Sequence, residues 1–463
     1  MTQPTRQLFG TDGIRARAGV YPLDPETVLR LGCAAADVLI PNQQGTIDEP
    51  TLSDRDWPSV VIGKDTRQSC DMLEAAISAG LNFRGIDVRL AGVIPTPAVA
   101  FLTRQLQASF GIVISASHNP FHDNGIKFFG PDGYKLDDAV ESAIESRLLS
   151  GEDFSVPESI GRTAPISKAA NRYVHFVCDS VEDPAMFEGL KIALDCANGA
   201  SFETSEAVLQ HLGAEVIPFH NRPSGLNINA DCGCTHPSAI EELVRETGAD
   251  VGIAHDGDAD RVLLADETGS VLDGDELMAI AGIDMIEQGV LHENTVVATL
   301  MSNAGLDEAL SNAGGRIVRA GVGDRYVIEK MREGDFNFGG EQSGHLIFRD
   351  QNTTGDGIMA AVQILRIMKR RQQPLSELRK LMHKFPQAQR NIRVVEKPPV
   401  ESLEVVQGLI AETEQELGKA GRTLLRYSGT EPLLRLLIEG RDSKYIESRA
   451  DQIAAAIEEQ IGG

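Results

Sequence analysis

Three aspartates stand at alternate positions in the segment 255–261, which reads HDGDADR. An extended chain projects alternate side chains to one side, so we expect the carboxylates of Asp256, Asp258 and Asp260 to converge. Converging carboxylates repel one another unless a cation neutralises them, and hard oxygen ligands suit Mg²⁺. The sequence therefore predicts a catalytic Mg²⁺ site with room for a phosphate oxygen. We reject a calcium EF-hand because Arg261 replaces the required glycine; a solvated acidic turn is the remaining alternative.

A serine follows an apolar run in the segment 111–130, GIVISASHNPFHDNGIKFFG. Pro120 disfavours helix at Asn119 and forces a turn, which predicts that Ser117 lies on an exposed loop. Neighbouring side chains on an extended chain face opposite ways, so we do not expect Ser117 and His118 to form part of a triad. The spacing alone leaves two interpretations: a nucleophile, or a turn whose hydroxyls satisfy the backbone.

The segment 426–431, RYSGTE, has the composition of a phosphate-binding loop. Arg426 and the later Arg435 can each bind a phosphate through paired N–H groups. The residues that supply hydroxyls and closely approaching backbone N–H groups are Ser428, Gly429 and Thr430. The alternative is an ordinary turn between two strands.

The segment 339–345, GGEQSGH, combines a carboxylate, an amide, a hydroxyl and an imidazole with three glycines. Sugar hydroxyls both donate and accept hydrogen bonds, so this mixture predicts a sugar-recognition loop. A structural histidine at His345 is the alternative.

Three weaker signals remain. Arg15, in the glycine-rich FGTDGIR, either contacts phosphate or caps a turn, and Lys127 either assists proton transfer or is a strand-edge charge. Cys232, Cys234 and His236 (CGCTH) lack zinc-site spacing, so we interpret them as a structural turn.

Composition limits the class of partner. The chain has 463 residues and a net charge of −25, from 43 Lys and Arg against 68 Asp and Glu. Such a surface repels nucleic-acid backbones and anionic membranes, and an anionic substrate needs a locally basic pocket. The 6 cysteines, and the lack of an apolar leader or a membrane-length apolar run, predict a cytoplasmic protein.

Short β-branched runs alternate with amphipathic stretches along the chain. The predicted strands are 60–63, 111–115, 190–194, 251–254 and 295–299, and the predicted helices are 71–81, 205–212, 238–247, 306–313 and 356–371. This alternation indicates an α/β fold with parallel or mixed sheets. Polar motifs follow the strands, where open α/β sheets bind ligands, so we expect one composite site. We interpret 151–168 as a linker.

Taken in order, FGTDGIR, ISASHNP, DGDADR, GGEQSGH and RYSGTEP resemble the α-D-phosphohexomutase superfamily over nearly the whole chain. The LFGTDGIR start, the DNGIKFF run and Gln342 are most similar to its bacterial phosphoglucosamine mutase branch. Two positions depart from the usual pattern: Cys234 stands where serine is more usual, and Tyr427 occupies a variable position.

The resemblance implies three similar α/β/α domains with mixed sheets around a central cleft, plus a smaller C-terminal α+β domain. We expect the domain boundaries at 1–165, 166–268, 269–383 and 384–463.

The resemblance also implies residue roles. Ser117 is expected to be a phosphoserine and a metal ligand beside Asp256, Asp258 and Asp260. The expected catalytic residues are Ser117, Lys127, Arg261, His345 and Arg15. The expected substrate-binding residues are Glu341, Ser343, Gly323, Asp324, Arg426, Ser428, Gly429, Thr430 and Arg435. The choice between Lys127 and His345 as proton carrier stays open.

The implied reaction interconverts glucosamine 6-phosphate and glucosamine 1-phosphate, feeding UDP-N-acetylglucosamine and cell-wall precursor synthesis. Its implied cofactors are Mg²⁺ and glucosamine 1,6-bisphosphate, the latter as intermediate or activator. We expect the partner to be a small sugar phosphate and expect no nucleic-acid or membrane partner. Whether the chain forms a homodimer is left open at this point.

Three alternatives remain at this stage. A phosphomannomutase or phosphoglucomutase would run the same chemistry on a neutral hexose. A metal-dependent sugar phosphatase would use water as acceptor. A catalytically silent sugar-phosphate sensor is disfavoured because Ser117 and all three aspartates are intact.

Overall fold

The computed structural model describes residues 7–10, 12–40, 58–155, 159–418, 421–428 and 431–462. The chain divides into two compact units, one made of 1–301 with 317–379 and the other of 302–316 with 380–463. Within the described ranges, no helix has both the length and the apolar composition needed to cross a membrane.

Seven strands form the first sheet: β1 (Phe9–Gly10), β2 (Gly13–Arg17), β3 (Ser59–Lys64), β4 (Asp87–Val93), β5 (Phe110–Ile114), β6 (Asp123–Phe129) and β7 (Thr163–Pro165). Their order in the sheet is β1-β2-β6-β5-β3-β4-β7, and β5, β3, β4 and β7 run parallel. The helices of this region are α1 (Pro25–Leu39), α2 (Cys70–Phe83), α3 (Thr96–Gln105) and α4 (Asp138–Leu149).

The second sheet has five strands: β8 (Lys191–Asp195), β9 (Glu215–Phe219), β10 (Val251–His255), β11 (Val262–Ala265) and β12 (Val271–Leu272). Their order is β12-β11-β10-β8-β9, with β10, β8 and β9 parallel. The accompanying helices are α5 (Ala169–Cys178), α6 (Thr204–His211) and α7 (Pro237–Thr247).

The third sheet has the order β14-β13-β15-β16. Its strands are β13 (Thr295–Thr299), β14 (Arg316–Ala320), β15 (Phe338–Gly340) and β16 (Leu346–Phe348). The helices between 274 and 378 are α8 (Gly274–Glu287), α9 (Ala304–Asn312), α10 (Asp324–Glu333), α11 (Gly357–Arg371) and α12 (Leu375–Leu378). Helix α9 belongs to the second unit.

The fourth sheet lies in the second unit and is antiparallel, in the order β17-β19-β18. Its strands are β17 (Gln387–Arg393), β18 (Gly421–Tyr427) and β19 (Leu433–Gly440), and its helices are α13 (Glu404–Leu417) and α14 (Ser443–Ile461). The fold class predicted from the sequence, three α/β domains with mixed sheets and a smaller α+β domain, is confirmed.

Local sequence signals explain where the helices begin and end. Asp273 and Glu276 form a capping box at the start of α8, which satisfies two otherwise free backbone N–H groups. Asp356 caps α11, and the basic residues in its last turn complement the helix dipole. The predicted strands and helices all fall on observed elements.

The segment 151–168 is not simply a linker. Its residues Thr163–Pro165 form β7, which pairs in parallel with β4 at the edge of the first sheet. The short run TAP carries too little apolar alternation to be recognised as a strand from sequence.

Candidate active site

The three aspartates lie in a turn between β10 and β11 and are almost fully buried. One carboxylate oxygen of each comes within 4.8 Å of the others. The predicted convergence is present, but the predicted extended segment is wrong. Ala259 adopts the left-handed region with φ 55°, and the turn that results brings the carboxylates together.

The donor set of this aspartate turn fits a divalent cation. Two of its buried oxygens, Asp258 Oδ1 and Asp260 Oδ1, make no hydrogen bond to any described residue. Burial and the neighbouring carboxylates of Asp260 and Asp258 raise the pKa of Asp256 well above its ordinary value. A hard cation among the three residues would remove this repulsion, and oxygen-only ligands suit Mg²⁺.

Ser117 meets the aspartate turn, because its Oγ donates to Asp256 Oδ2 at 2.6 Å. Its side chain is fully buried, so the predicted exposed loop is wrong. Asn229 and Arg67 donate to the Ser117 carbonyl at 2.9 and 3.1 Å and cover the loop. Gly257 packs so closely that a Cβ there would lie 2.5 Å from the same carbonyl.

The backbone at Ser117 is in the left-handed region, with φ 51°. This conformation costs about 1 kcal/mol for a residue other than glycine. It brings His118 Nδ1 to 3.4 Å from Ser117 Oγ, so the expectation that the two side chains face opposite ways is wrong. Burial, reinforced by Arg261 and Arg15, lowers the pKa of His118 and favours its neutral ring.

Lys127 lies on β6 between β2 and β5, so it is not a strand-edge charge. Its buried Nζ is 3.0 Å from Asp258 Oδ2, 2.9 Å from Asp12 Oδ2 and 3.9 Å from Asp260 Oδ2. Burial alone would lower the pKa of Lys127, but these carboxylates outweigh burial and raise it. Lys127 is therefore a fixed cation beside the aspartate turn.

Residues of alternating charge form a closed ring of contacts that begins and ends at Lys127. Lys135 pairs with both Asp12 and Asp324. Asp324 Oδ2 lies 3.6 Å from His345 Nε2, and His345 Nδ1 lies 3.7 Å from Asp260 Oδ2. We call this set the charge ring: Lys127, Asp12, Lys135, Asp324, His345 and Asp260.

The charge ring holds its members in their charged forms. Burial alone would lower the pKa of His345, but Asp260 and Asp324 outweigh it and raise that pKa. Burial alone would raise the pKa of Asp260, but His345, Lys127 and Arg261 lower it. The ring thus joins residues from the first sheet, the aspartate turn and the third sheet in one electrostatic unit.

A cavity of about 320 Å³ opens beside the charge ring. Its lining includes seven residues predicted from the sequence: Arg15, Asp260, Arg261, Gly323, Asp324, Glu341 and His345. Glu341 Oε1 accepts from the Gly323 backbone N–H at 3.0 Å, and Arg15 pairs with Asp12. The cavity therefore combines cations, a carboxylate and backbone donors, which suits a polar anionic ligand.

A second cavity, of about 390 Å³, is lined by Ser343 but not by Glu341. Ser343 shares this cavity with His118, Asp256 and Arg261, and Arg261 lines both cavities. Glu341 and Ser343, both expected to bind substrate, therefore line different cavities. Cys234 also lines the second cavity, with its Sγ donating to the Ala254 carbonyl at 3.0 Å.

The predicted phosphate loop belongs to the second unit, at the β18–β19 hairpin. Arg426 and Arg435 occupy directly paired positions of the two strands. Glu431 pairs with Arg435 at 2.7 Å, and Lys397 Nζ donates to the Ser428 carbonyl at 2.9 Å. Gly429 and Thr430 lie outside the described residues. Tyr427 donates from its hydroxyl to the Pro398 carbonyl at 2.7 Å.

Sequence reasoning missed five residues that support the site: Thr96, Arg67, Asn229, Asp12 and Lys135. Thr96 Oγ1 donates to Asp258 Oδ2 at 2.7 Å. Asp12 lies in the glycine-rich FGTDGIR, and Arg67 lies in GKDTR, one of the polar segments that follow a predicted strand, so these segments were the available signal. Lys135 and Asn229 carry no local pattern that points to the site.

Family models match most of the chain in four consecutive segments. The phosphoglucomutase/phosphomannomutase models for alpha/beta/alpha domains I, II and III match residues 6–154, 171–269 and 273–385, and the C-terminal domain model matches 390–456. The chain belongs to the phosphoglucomutase/phosphomannomutase family.

Curated relatives in this family match over the full length. The phosphoglucosamine mutase of Geotalea daltonii is 48% identical over 461 residues, covering 99% of each chain. The phosphoglucosamine mutase of Geobacter metallireducens is also 48% identical, covering 99% of this chain and 100% of the relative.

Solved structures share the family fold at low identity. A phosphoglucomutase/phosphomannomutase family protein from Burkholderia thailandensis has a TM-score of 0.79 at 21% identity, covering 98% of this chain and 99% of that one. An N-acetylphosphoglucosamine mutase of Aspergillus fumigatus, solved with GlcNAc-6P and magnesium, has a TM-score of 0.61 at 17% identity, covering 98% and 96%.

Proposed function

We propose that this chain is an intramolecular phosphotransferase that interconverts glucosamine 6-phosphate and glucosamine 1-phosphate through a phosphoserine at Ser117 and glucosamine 1,6-bisphosphate. The observation that carries the chemistry is the 2.6 Å contact between Ser117 Oγ and Asp256 in the aspartate turn. The amino-sugar preference is supported by the full-length similarity to proteins named phosphoglucosamine mutase.

We infer that Asp256, Asp258, Asp260 and a phosphorylated Ser117 hold Mg²⁺. When bound, Mg²⁺ stabilises the charge that develops on a transferring phosphoryl group. The unbonded oxygens of Asp258 and Asp260 support this assignment, as does the magnesium in the Aspergillus fumigatus relative. Arg261 adds a fixed cation, with its Nε 3.7 Å from Asp260 Oδ1.

Lys127 and His345 are the candidate proton carriers. Both are buried and both have raised pKa values, so each is held as a cation before the sugar phosphate binds. A protonated group can give its proton to the oxygen of a leaving alkoxide, which thereby becomes a hydroxyl, and can stabilise phosphoryl oxygens. His345 lines the cavity of about 320 Å³, which supports a role for it beside a sugar phosphate bound there.

We propose that the rest of the polar lining binds the sugar phosphate. Arg15, Gly323, Asp324 and Glu341 contribute donors and acceptors from the cavity wall, and Ser343 contributes from the second cavity. In the β18–β19 hairpin, the phosphate that is not reacting is held by Arg426, Ser428, Gly429, Thr430 and Arg435. Binding energy from that distal phosphate orients the reacting end.

The remaining expectations are kept as proposals. The four domains extend over 1–165, 166–268, 269–383 and 384–463, which the four consecutive family matches support. A cytoplasmic location, a homodimer and the lack of nucleic-acid or membrane partners stay predictions.

A substrate comparison tests the function. Purified enzyme with Mg²⁺ and catalytic bisphosphate is assayed on glucosamine 1-phosphate, mannose 1-phosphate and glucose 1-phosphate. We expect the highest kcat/KM on the amino sugar, little inorganic phosphate, and no turnover for Ser117→Ala. The matched control is Ser78→Ala, a buried serine on α2, which should keep full activity. Preference for a neutral hexose identifies a hexose mutase, and release of phosphate as main product identifies a phosphatase.

A further inference from the structure

A second set of metal-ligating side chains lies in the region of the second sheet. Asp195 ends β8, His220 directly follows β9, and Cys232 precedes α7. One ligand atom of each of the three comes within 4.8 Å of the others. Because β8 and β9 are parallel neighbours, their carboxyl ends bring Asp195 and His220 together.

This set differs from the cysteine–histidine group in the sequence CGCTH. Cys234 donates its Sγ to the Ala254 carbonyl at 3.0 Å, and His236 is exposed. Only Cys232 of that group faces Asp195 and His220 as a ligand would. The set combines residues from segments that are far apart in the chain.

Asp195 is fully buried and firmly positioned. Its Oδ1 accepts from the Ala197 backbone N–H at 2.9 Å, and its Oδ2 accepts from the Gly233 N–H at 2.8 Å. His220 Nδ1 lies 3.0 Å from Asp195 Oδ1, and this contact raises the pKa of His220, yet the nitrogen makes no well-formed hydrogen bond to a described residue. A shared cation would satisfy both atoms.

The donor chemistry selects the kind of metal. Carboxylate, imidazole and thiolate together suit Zn²⁺, whereas Mg²⁺ prefers oxygen alone. Burial raises the pKa of Cys232 to about 12, with smaller contributions from Asp195 and Asp231, so the free thiol is neutral. A bound zinc ion deprotonates a coordinating thiol.

We propose that Asp195, His220 and Cys232 form a zinc site that is separate from the aspartate turn. The three side chains supply one oxygen, one nitrogen and one sulfur, and a water completes a tetrahedral shell. The His220 side chain is 34% exposed, which gives the ion an entry path. The proposal does not depend on the proposed function.

The site is connected to the serine loop through two hydrogen bonds. The Ala197 carbonyl, two residues after Asp195, accepts from the Asn229 backbone N–H at 2.9 Å. Asn229 Nδ2 in turn donates to the Ser117 carbonyl at 2.9 Å. Zinc bound to Asp195 and Cys232 restrains the segment that supports Ser117, so it should raise the melting temperature.

Cobalt binding tests the proposal, because Co²⁺ replaces Zn²⁺ and its thiolate complexes absorb light. The full chain is reduced, saturated with Mg²⁺ and titrated with Co²⁺. We expect one Co²⁺ per chain with a sulfur-to-cobalt charge-transfer band, which added Zn²⁺ abolishes. Cys232→Ser should lose the band, and the matched control Cys234→Ser should keep it. His220→Gln should weaken Co²⁺ binding at least tenfold.

The wild-type titration alone can overturn the proposal. Absence of a charge-transfer band in the Mg²⁺-saturated wild-type chain contradicts it, even if every variant misfolds. A band that survives in Cys232→Ser, or that disappears equally in Cys234→Ser, also contradicts it. Circular dichroism of each variant verifies that a lost band reflects a lost ligand.

Discussion

The charge ring and the aspartate turn of the first unit hold acids and bases in buried contacts that neutralise one another. The β18–β19 hairpin of the second unit instead places Arg426 and Arg435 opposite each other on neighbouring strands. The Lys127 side chain is 1% exposed, and the Arg435 side chain is 40% exposed. Like charges placed opposite each other on a sheet destabilise it unless anions offset them, and Glu431, 2.7 Å from Arg435, is one such anion here.

Under the proposed function, this difference assigns separate tasks to the two regions. A buried network with little freedom suits the reacting phosphoryl group, because preorganised charges need no rearrangement during the step. A half-exposed pair of arginines suits capture of a phosphate from solvent. Substitutions in the first region should therefore reduce turnover, and substitutions in the second should reduce affinity.

The largest effect is expected at the aspartate turn. Asp258→Asn removes one charge from the proposed Mg²⁺ site and weakens the contact with Lys127 Nζ at 3.0 Å. We expect kcat to fall by roughly 1,000-fold and the Mg²⁺ concentration for half-maximal activity to rise. Steady-state kinetics across a Mg²⁺ series measures both values. Full activity of the wild-type enzyme in excess chelator would show that no divalent ion is required.

Acid should destabilise the same region through His255, which lies directly before Asp256. Its Nδ1 donates to the Arg261 carbonyl at 3.2 Å, and its Nε2 accepts from Ser205 Oγ at 2.9 Å. Burial lowers the pKa of His255 from 6.5 to about 4. Because the unfolded chain takes up this proton first, stability is lost as the pH falls from 6.5 towards 4.

We expect protonation of His255 to lower the free energy of unfolding by about 3 kcal/mol between pH 7 and pH 4. Urea unfolding at both pH values, in chelator, compares the wild type with His255→Gln. On acidification, the free energy of unfolding of His255→Gln should fall less than that of the wild type, by about 3 kcal/mol. The exposed His211→Gln on α6 serves as the control and should behave like the wild type. Equal acid sensitivity of His255→Gln and wild type would contradict the assignment.

We expect the contribution of the charge ring to kcat to depend on Lys135, which pairs with Asp12 and Asp324. Lys135→Met leaves two carboxylates facing each other, so we expect kcat to fall about 30-fold with a smaller change in KM. Lys135→Arg should recover most of the loss because it restores the cation. Lys330→Met, which removes an exposed pair with Glu333 on α10, is the control.

If Lys135→Met were as active as Lys330→Met, the charge ring would have only a structural role and would not contribute to turnover. Failure of Lys135→Arg to recover activity, with an unchanged melting temperature, would show that charge is not what the ring supplies.

The smallest effect is expected in the hairpin. Arg426→Ala should raise KM for the sugar phosphate about tenfold and leave kcat within a factor of about three, because one charge-assisted contact to the distal phosphate is lost. The control is Arg390→Ala on the neighbouring strand β17, which removes exposed ion pairs with Glu447 and Asp451 on α14. A fall in kcat with unchanged KM would remove the distinction between the two regions.

Sequence reasoning located the parts of the site that are written in contiguous residues. The aspartate turn, the serine loop and the sugar loop each carry their chemistry within about seven positions, so their residue types alone were informative. The strands before the serine loop and the aspartate turn, β5 and β10, were also predictable, because their apolar runs are buried inside the sheets. The strand before the sugar loop, β15, was not predicted.

The rest depended on contacts between distant segments. Ser117 and Asp256 are 139 positions apart, and Lys135 and Asp324 are 189 apart. Long-range pairs of this kind leave no periodic pattern. The left-handed backbone at Ser117 and Ala259 was equally hidden, because residues other than glycine seldom adopt it. These two features explain why Ser117 was expected to be exposed and the aspartates were expected on an extended segment.

The central claim is that the Ser117 hydroxyl, held against the aspartate turn, carries the phosphoryl group. Intact-mass spectrometry of the purified chain after incubation with glucosamine 1,6-bisphosphate and Mg²⁺ tests it most directly. We predict a mass increase of one phosphoryl group in the wild type and in Ser78→Ala, and none in Ser117→Ala. An unmodified wild-type chain that still turns over substrate, or a phosphoryl group retained in Ser117→Ala, would contradict the claim.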